Sequence, residues 1–233
     1  EKGKTSPPRL FTYPNIKAAP VEIPAKRINN YLVDAPTIWI DKRTTPLAHI
    51  PPAALGSKPT DGGNLVVEES EYAEVAADPV AAKYLHPFRM GRELIQGLDR
   101  WCLWLEDLDP ADIHRSPILK QRIEANRAYR EQAPKGGDAY KLRDIPHLMR
   151  PHANRPTEPY VGIPRIFSET RKWATVERMP PEVIAADSVF TAIDPDGFLL
   201  GIISSSMFIT WQKMIGGRLK SDPNFSNTLV WNN

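Results

Sequence analysis

Cysteine is almost absent from this 233-residue chain, and apolar runs of membrane-spanning length are absent altogether. The single Cys102 excludes an intramolecular disulfide framework and a cysteine-rich zinc site, and it is typical of a reducing compartment. No N-terminal run resembles a signal peptide, and no stretch reaches the roughly 20 apolar residues of a membrane span. We therefore expect a cytoplasmic protein with no membrane partner.

The residue groupings of common enzyme centres are also lacking. No glycines stand at the spacing of a dinucleotide or phosphate loop. The segment Gly201-Ile202-Ile203-Ser204-Ser205 lacks the second glycine of a nucleophile elbow. The 5 histidines include no pair at metal-ligand spacing on a helix. We predict neither catalytic residues nor a metal site, and the missing initiator methionine leads us to expect a fragment or a processed product.

Proline is abundant, with 24 prolines against 13 glycines. Proline fixes φ and interrupts helices, so many short elements with extended connections are expected. Strands are predicted at 36–41, 100–105, 160–167, 172–179 and 183–193. Helices are predicted over 68–85 with an interruption at Pro79, and from Ser116-Pro117 to about Gln132. The second helix carries cations at its predicted outer positions Lys120, Arg122, Arg127 and Arg130.

The order of these elements indicates an α+β fold with short, mostly antiparallel strands and several helices. The strongest helical pattern runs from Phe198 to Ile215, and we expect one long apolar helix there. Three parts are predicted. Residues 1–24 form a linker or extended segment, residues 25–195 a recognition domain, and residues 196–233 a C-terminal helix with a basic loop packed on that domain.

Charge is unevenly distributed, although the net charge is only +2. Residues 61–112 hold 12 acids and 4 bases, whereas residues 113–178 hold 14 bases and 7 acids. Such asymmetry favours one face towards a polyanion. Ordinary solvated surfaces would give the same counts, and a pI of about 8.6 is modest for a nucleic-acid binder.

Two polar and basic loops are the main functional signal. One spans 165–173 and the other 216–224, and both combine cations with hydroxyl groups. Cations, hydroxyls and main-chain amides hold a phosphate backbone, and arginine, lysine and asparagine read base edges. The predicted DNA-contacting residues are Arg165, Ser168, Arg171 and Lys172 in the first loop, and Arg218, Lys220, Ser221 and Asn224 in the second.

These loop cations have an alternative role inside the domain. Arg165 or Arg218 could pair with Asp187 or Glu169 and hold strands together. Aromatic residues near the loops are ambiguous in the same way. Trp173, Phe225 and Trp231 could contact nucleic acid, whereas core packing is the expectation for Trp39, Trp101, Trp104 and Trp211.

Several motifs in fixed order resemble the C-terminal target-recognition region of MmeI-like type II restriction–modification enzymes and related adenine-specific DNA methyltransferases. The likeness runs from about Leu10 onward. It is carried by the segments 11–13 (FTY), 29–34 (NNYLVD), 56–65 (GSKPTDGGNL), 100–105 (RWCLWL), 163–171 (IPRIFSETR), 201–205 (GIISS) and 217–222 (GRLKSD).

The resemblance implies sequence-specific binding of double-stranded DNA by a region that is not catalytic in isolation. It implies that a methyltransferase domain of the same bacterial parent chain carries the chemistry, with S-adenosylmethionine as cofactor and adenine N6 as target. A protein-interaction or scaffold module remains the alternative, with the acidic segment 61–112 and the aromatic strands docking a partner. A free-standing enzyme with an unrecognised site is a third possibility.

Overall fold

The structure, a computed structural model, describes residues 8–150 and 155–233. The chain forms two compact units, Glu1–Asp41 and Lys42–Asn233. Residues 1–7 of the predicted linker lie outside the described ranges. The predicted boundaries after residues 24 and 195 stay predictions.

The first unit contains one hairpin of two short strands, β1 (Leu10–Thr12) and β2 (Val21–Ile23), paired antiparallel. The predicted strand at 36–41 is wrong, because this stretch is irregular. A strand needs a neighbour to take its backbone hydrogen bonds, and among residues 8–41 the two strands pair only with each other. Trp39 is 76% exposed, so its predicted core role is also wrong.

The second unit is built on two four-stranded sheets. The first has the order β3-β10-β7-β8 and is antiparallel throughout. The second has the order β4-β6-β5-β9, with β5 and β9 parallel. The strands are β3 (Ala54–Leu55), β4 (Val66–Val67), β5 (Leu85–Arg89), β6 (Trp101–Leu103), β7 (Tyr160–Pro164), β8 (Glu177–Met179), β9 (Ile184–Ala185) and β10 (Val189–Ile193).

Short helices surround these sheets, and a second hairpin follows the last α-helix. The hairpin consists of β11 (Gly217–Leu219) and β12 (Asp222–Asn224). The α-helices are α1 (Glu69–Ala77), α2 (Gly91–Gln96), α3 (Pro110–Arg115), α4 (Pro117–Gln132), α5 (Asp138–Lys141), α6 (Phe198–Ile203) and α7 (Ser206–Ile215). A 3-10 turn (Ala81–Tyr84) and a terminal π turn (Asn227–Trp231) complete the unit.

The long apolar helix predicted near the C-terminus is wrong, although the fold is mixed α+β. Two helices, α6 and α7, occupy that stretch, and the chain turns at Ser204 and Ser205. The Ser205 hydroxyl accepts the Phe208 amide at 3.2 Å and so caps α7. A serine hydroxyl competes with helical carbonyls for backbone donors, and it is strongly favoured at such a cap.

Predicted strands of the second half are shorter than expected. The predicted strand over 183–193 is two strands, β9 and β10, and that over 172–179 is strand only at β8. The break between β9 and β10 has a local cause. The Val189 amide donates to the Ala186 carbonyl at 2.9 Å, so the backbone turns between the two strands.

Helix α4 begins and ends where the sequence predicts. The Ser116 hydroxyl accepts the Leu119 amide, and Pro117 occupies the first helical position. Two of the predicted outer cations are not outer. Arg122 is partly buried against Glu71, with 2.7 Å between Nη2 and Oε1, and Arg130 is completely buried.

Three buried apolar clusters lie among the described residues of the second unit, and two of them are large. One joins the second sheet to α1 and α4. The other joins the first sheet to α6, α7 and the chain end, and it contains Phe225 and Trp231. The possible nucleic-acid role of these two aromatics is therefore wrong, because both are core residues. Trp104 is buried and Trp101 and Trp211 pack on the clusters, as predicted.

The described residues lack what a membrane-spanning helix, a three-ligand metal site or a reactive thiol requires. None of their helices is both long and apolar enough to cross a membrane. Over the same ranges, no three His, Cys, Asp or Glu side chains gather in a way that could hold a metal ion. Cys102 is buried in the core, and this burial raises the pKa of its thiol, which therefore stays protonated and unreactive.

Candidate nucleic-acid interface

Two segments of the second unit bring the predicted DNA-contacting residues together. We call residues 165–173, which follow β7, the basic loop. We call residues 217–224, which form β11, β12 and their turn, the basic hairpin. The sheet that carries β7 and the helix α7 that precedes the hairpin share one buried core, so both segments start from fixed supports.

The basic loop runs antiparallel beside β12. The Asp222 carboxylate adds a side-chain contact, because its Oδ1 accepts the Glu169 amide at 3.0 Å. The backbone contacts are a bridge between Ile166 and Asn224, a hydrogen bond from Phe167 N to Pro223 O at 3.0 Å, and one from Phe225 N to Arg165 O at 2.7 Å. The two segments therefore form one surface.

The hairpin turn is held by an unusual backbone conformation. Lys220 has φ of 57°, in the left-handed region that non-glycine residues seldom adopt. Arg218 stabilises this turn, because its guanidinium donates to the Ser221 carbonyl at 2.9 Å and to the Lys213 carbonyl at 3.3 Å. Lys220 and Ser221 are thus exposed at the tip of a turn that the Arg218 hydrogen bonds stabilise.

The basic loop is held at Arg171. The Arg171 amide donates to the Ser168 carbonyl at 3.1 Å, and the Arg171 carbonyl accepts Lys213 Nζ at 2.7 Å. The Ser168 and Thr170 hydroxyls share a hydrogen bond of 3.0 Å. The side chains of Arg171, Lys172 and Trp173 remain exposed, Trp173 by 59%.

Four cations on this surface are exposed and free of ion pairs within the described residues. Arg165, Arg171, Lys172 and Lys220 are exposed, and none has an ion pair within residues 8–150 and 155–233. Elsewhere in the described residues some cations have an acid close by, whereas others, such as Lys120, Arg127 and Lys135, are also exposed without an ion pair. Examples of the paired cations are Lys83 with Asp112, Arg100 with Glu93, Arg122 with Glu71, Arg150 with Asp138 and Arg155 with Glu106.

The predicted pairing of Arg165 or Arg218 with Asp187 or Glu169 is not found among the described ion pairs. Arg218 nevertheless has an internal role, since it donates to carbonyls of its own hairpin and of α7. Asn224 is only half-exposed, and its Oδ1 is buried with no hydrogen-bond partner in the described structure. Its amide oxygen is thus not presented to an outside ligand.

Sequence reasoning missed two residues of this surface. Lys213 and Asp222 tie the basic loop to α7 and to the hairpin through its main-chain groups. No local pattern signals such contacts, because the partners lie 42 and 53 residues away in the chain. The basic character of Lys213 was visible, but its partner was not.

Residues 34–233 match one protein family, described as MmeI, target recognition domain. The match covers most of the chain and includes both the basic loop and the basic hairpin. The chain belongs to this family.

Relatives of this MmeI-family domain agree with that assignment. The present chain is 31% identical over 206 residues to DNA methyltransferase A of Bacillus subtilis strain 168, and the match covers 88% of this chain and 23% of the relative. A solved structure of the Type IIL restriction–modification enzyme MmeI in complex with DNA superimposes with a TM-score of 0.81 at 29% identity. That match covers 96% of this chain and 30% of MmeI, so the domain spans less than a third of either relative.

Proposed function

We propose that this chain recognises a specific sequence in double-stranded DNA, as the target recognition domain of a larger restriction–modification DNA methyltransferase. The observation that carries the proposal is the surface on which the basic loop and the basic hairpin adjoin. Its four exposed cations without ion pairs, Arg165, Arg171, Lys172 and Lys220, are offered to an outside anion. Membership of the target recognition domain family supports the same conclusion.

The shape of the surface suits a DNA groove. A two-stranded β-ribbon fits the major groove, where lysine and arginine read guanine and hydroxyls contact bases or phosphates. The hairpin tip presents Lys220 and Ser221, and the loop beside it presents Ser168, Arg171 and Lys172. Arg165 is exposed at the base of the same loop. Arg218 and Asn224 contribute less, because the Arg218 guanidinium already donates to two carbonyls and the Asn224 Oδ1 is buried.

The chemistry is assigned to another part of the parent polypeptide. One relative is named a DNA methyltransferase and another a restriction–modification enzyme, and both are more than three times longer than the matched region. Our proposal therefore includes a partner methyltransferase domain in the same chain, S-adenosylmethionine as its cofactor, adenine N6 as its target, and a bacterial, cytoplasmic setting. DNA binding by the present domain would hold the substrate for that neighbour.

The alternative of a docking module that uses the acidic segment 61–112 has less support. Acids of that segment neutralise cations of their own domain, as Asp112 does for Lys83 and Arg115 and Glu68 does for Arg100. An acidic side chain already paired in this way offers little to a basic partner.

The first prediction is salt-dependent binding of duplex DNA by this chain. Each phosphate contact lowers the slope of log K against log salt by about 0.9, so four contacting cations give a slope of about −3 to −4. Fluorescence anisotropy with a labelled duplex, from low to moderate salt, measures it. A folded sample that binds no duplex at low salt contradicts the proposal.

A further inference from the structure

Unlike the four exposed cations without ion pairs, Lys213 donates to a main-chain carbonyl of the basic loop. It lies in the last turn of α7, and its Nζ donates to the Arg171 carbonyl at 2.7 Å. Its own carbonyl accepts the Arg218 guanidinium. Lys213 thus connects the basic loop on one side with the basic hairpin on the other.

The helix that carries Lys213 is anchored in the core. Phe208 and Ile209 of α7 belong to the buried cluster, and Gln212, directly before Lys213, is completely buried. The Trp211 indole adds a hydrogen bond of 3.0 Å to the Val230 carbonyl. A side chain on such a helix starts from a fixed backbone position and therefore holds its hydrogen-bond partner in place.

The segment that Lys213 holds has few other supports. From Ser168 to Trp173 the side chains are exposed. Its main chain is fixed to the rest of the domain by Asp222 at Glu169 and by Lys213 at Arg171. An ammonium group on a carbonyl makes a charge-assisted hydrogen bond, which is stronger than a neutral one. Loss of the Lys213 contact therefore frees the half of the loop that carries Arg171 and Lys172.

We infer that Lys213 is a positioning residue for DNA recognition. It fixes the main chain of Arg171, so that the basic loop and the basic hairpin contact DNA in a fixed position relative to each other. This inference rests on the proposed function. Lys213 itself makes no phosphate contact. Its contribution lies in the discrimination between sequences, because base contacts require fixed geometry, whereas phosphate contacts tolerate a mobile loop.

The salt slope distinguishes positioning from phosphate contact. A duplex is first selected from a pool with a randomised core by the 233-residue chain, and a scrambled duplex of the same length serves as reference. In Lys213→Met the affinity ratio of selected to scrambled duplex falls about tenfold, the scale of one lost base contact. The salt slope on the scrambled duplex stays at the wild-type value. Lys213→Arg, which keeps a donor, restores most of the ratio.

Lys172→Met is the matched control, since Lys172 is an exposed lysine of the same surface with no ion pair in the described structure. A phosphate-contacting lysine lowers the magnitude of the slope by about one when removed. If Lys213→Met behaves in that way with an unchanged affinity ratio, the inference is overturned. An unchanged ratio together with an unchanged slope overturns it as well.

Amide hydrogen exchange tests the inference without DNA. In Lys213→Met the amides of residues 168–173 exchange faster, while those of β7 and β10 keep their protection, which also shows that the variant is folded. Unchanged exchange in 168–173 contradicts the positioning role. If the wild-type chain binds no duplex, the proposed function fails, and the exchange result then reports separately on whether Lys213 holds the loop.

Discussion

At the scale of single residues, the most demanding environment belongs to Arg130. The side chain is completely buried, and burial lowers its pKa despite the nearby Asp61 carboxylate. Its guanidinium donates to five carbonyls that belong to two separate loops. These are Thr60 at 3.1 Å, Pro59 at 3.3 Å, Leu142 at 3.0 Å, Ile145 at 2.9 Å and Leu148 at 2.7 Å.

Arg130→Met is therefore expected to destabilise the domain strongly. Removal of the guanidinium leaves buried carbonyls without donors, and a cost of about 3–5 kcal/mol in the free energy of unfolding is typical of such a loss. Urea unfolding measures it. Arg127→Met is the control on the same helix, because Arg127 is exposed, and it changes stability by less than about 0.5 kcal/mol. Equal effects of the two substitutions contradict this account.

The pKa of His147 is lowered by its own burial and, to a smaller extent, by the same buried charge. Burial lowers the pKa of this imidazole first, and the positive charges of Arg130 and Arg127 lower it further. His147 therefore stays neutral at physiological pH. The histidine that the sequence left without a role is thus part of the packing around the arginine.

At the scale of elements, the basic hairpin combines strain with exposure. A non-glycine residue in the left-handed region costs about 1–2 kcal/mol relative to an ordinary conformation. The strained position of Lys220 supports the proposal that its side chain contacts DNA.

Lys220→Gly separates stability from binding. Glycine adopts the φ of 57° without strain, so the free energy of unfolding is expected to rise by up to about 1 kcal/mol. Binding of duplex DNA weakens at the same time, because the ammonium group at the tip is lost. Thermal unfolding and anisotropy on the same sample measure both. A variant that is less stable, or that binds as tightly as the parent chain, contradicts the role of Lys220.

Element boundaries were predicted well where the signal is local. Ser116 and Pro117 start α4 at the predicted position because a cap and a proline act within one turn. The pattern from Phe198 to Ile215 was misread as one long helix, whereas it holds two. Apolar spacing continues on both sides of Ser204 and Ser205, whereas α6 ends at Ile203 and the hydroxyl of Ser205 caps α7. Helical periodicity does not report such a break.

At the scale of the whole molecule, ion pairs between distant segments set the response to acid. The Lys83 hydrogen bond lowers the pKa of Asp112, with help from Tyr84 and Arg115, and the Lys58 hydrogen bond and Arg150 lower that of Asp138. These pairs join segments such as 83 with 112 and 58 with 138.

The sign of the pH dependence follows from these lowered pKa values. A carboxyl whose pKa is lower in the folded than in the unfolded state stabilises the fold above its unfolded pKa of about 4. This contribution is lost as pH falls through the lowered folded value. The melting temperature is therefore expected to drop below about pH 4, and Asp112→Asn should flatten that drop. Glu124→Gln, at an exposed site of α4, should leave the curve unchanged. An Asp112→Asn curve that is parallel to wild type contradicts this assignment.

By itself, the sequence determined the family, the mixed α+β class, the local caps and turns, and the two segments rich in cations. These features depend on residues close together in the chain or on motifs in a fixed order. Only the tertiary structure decided which cations are enclosed, as Arg130 is, and which remain available, as Arg171 and Lys220 are. It also decided that Lys213 and Asp222 join the two segments into one surface. The reason is physical, because burial and long-range hydrogen bonds depend on partners dozens of residues away.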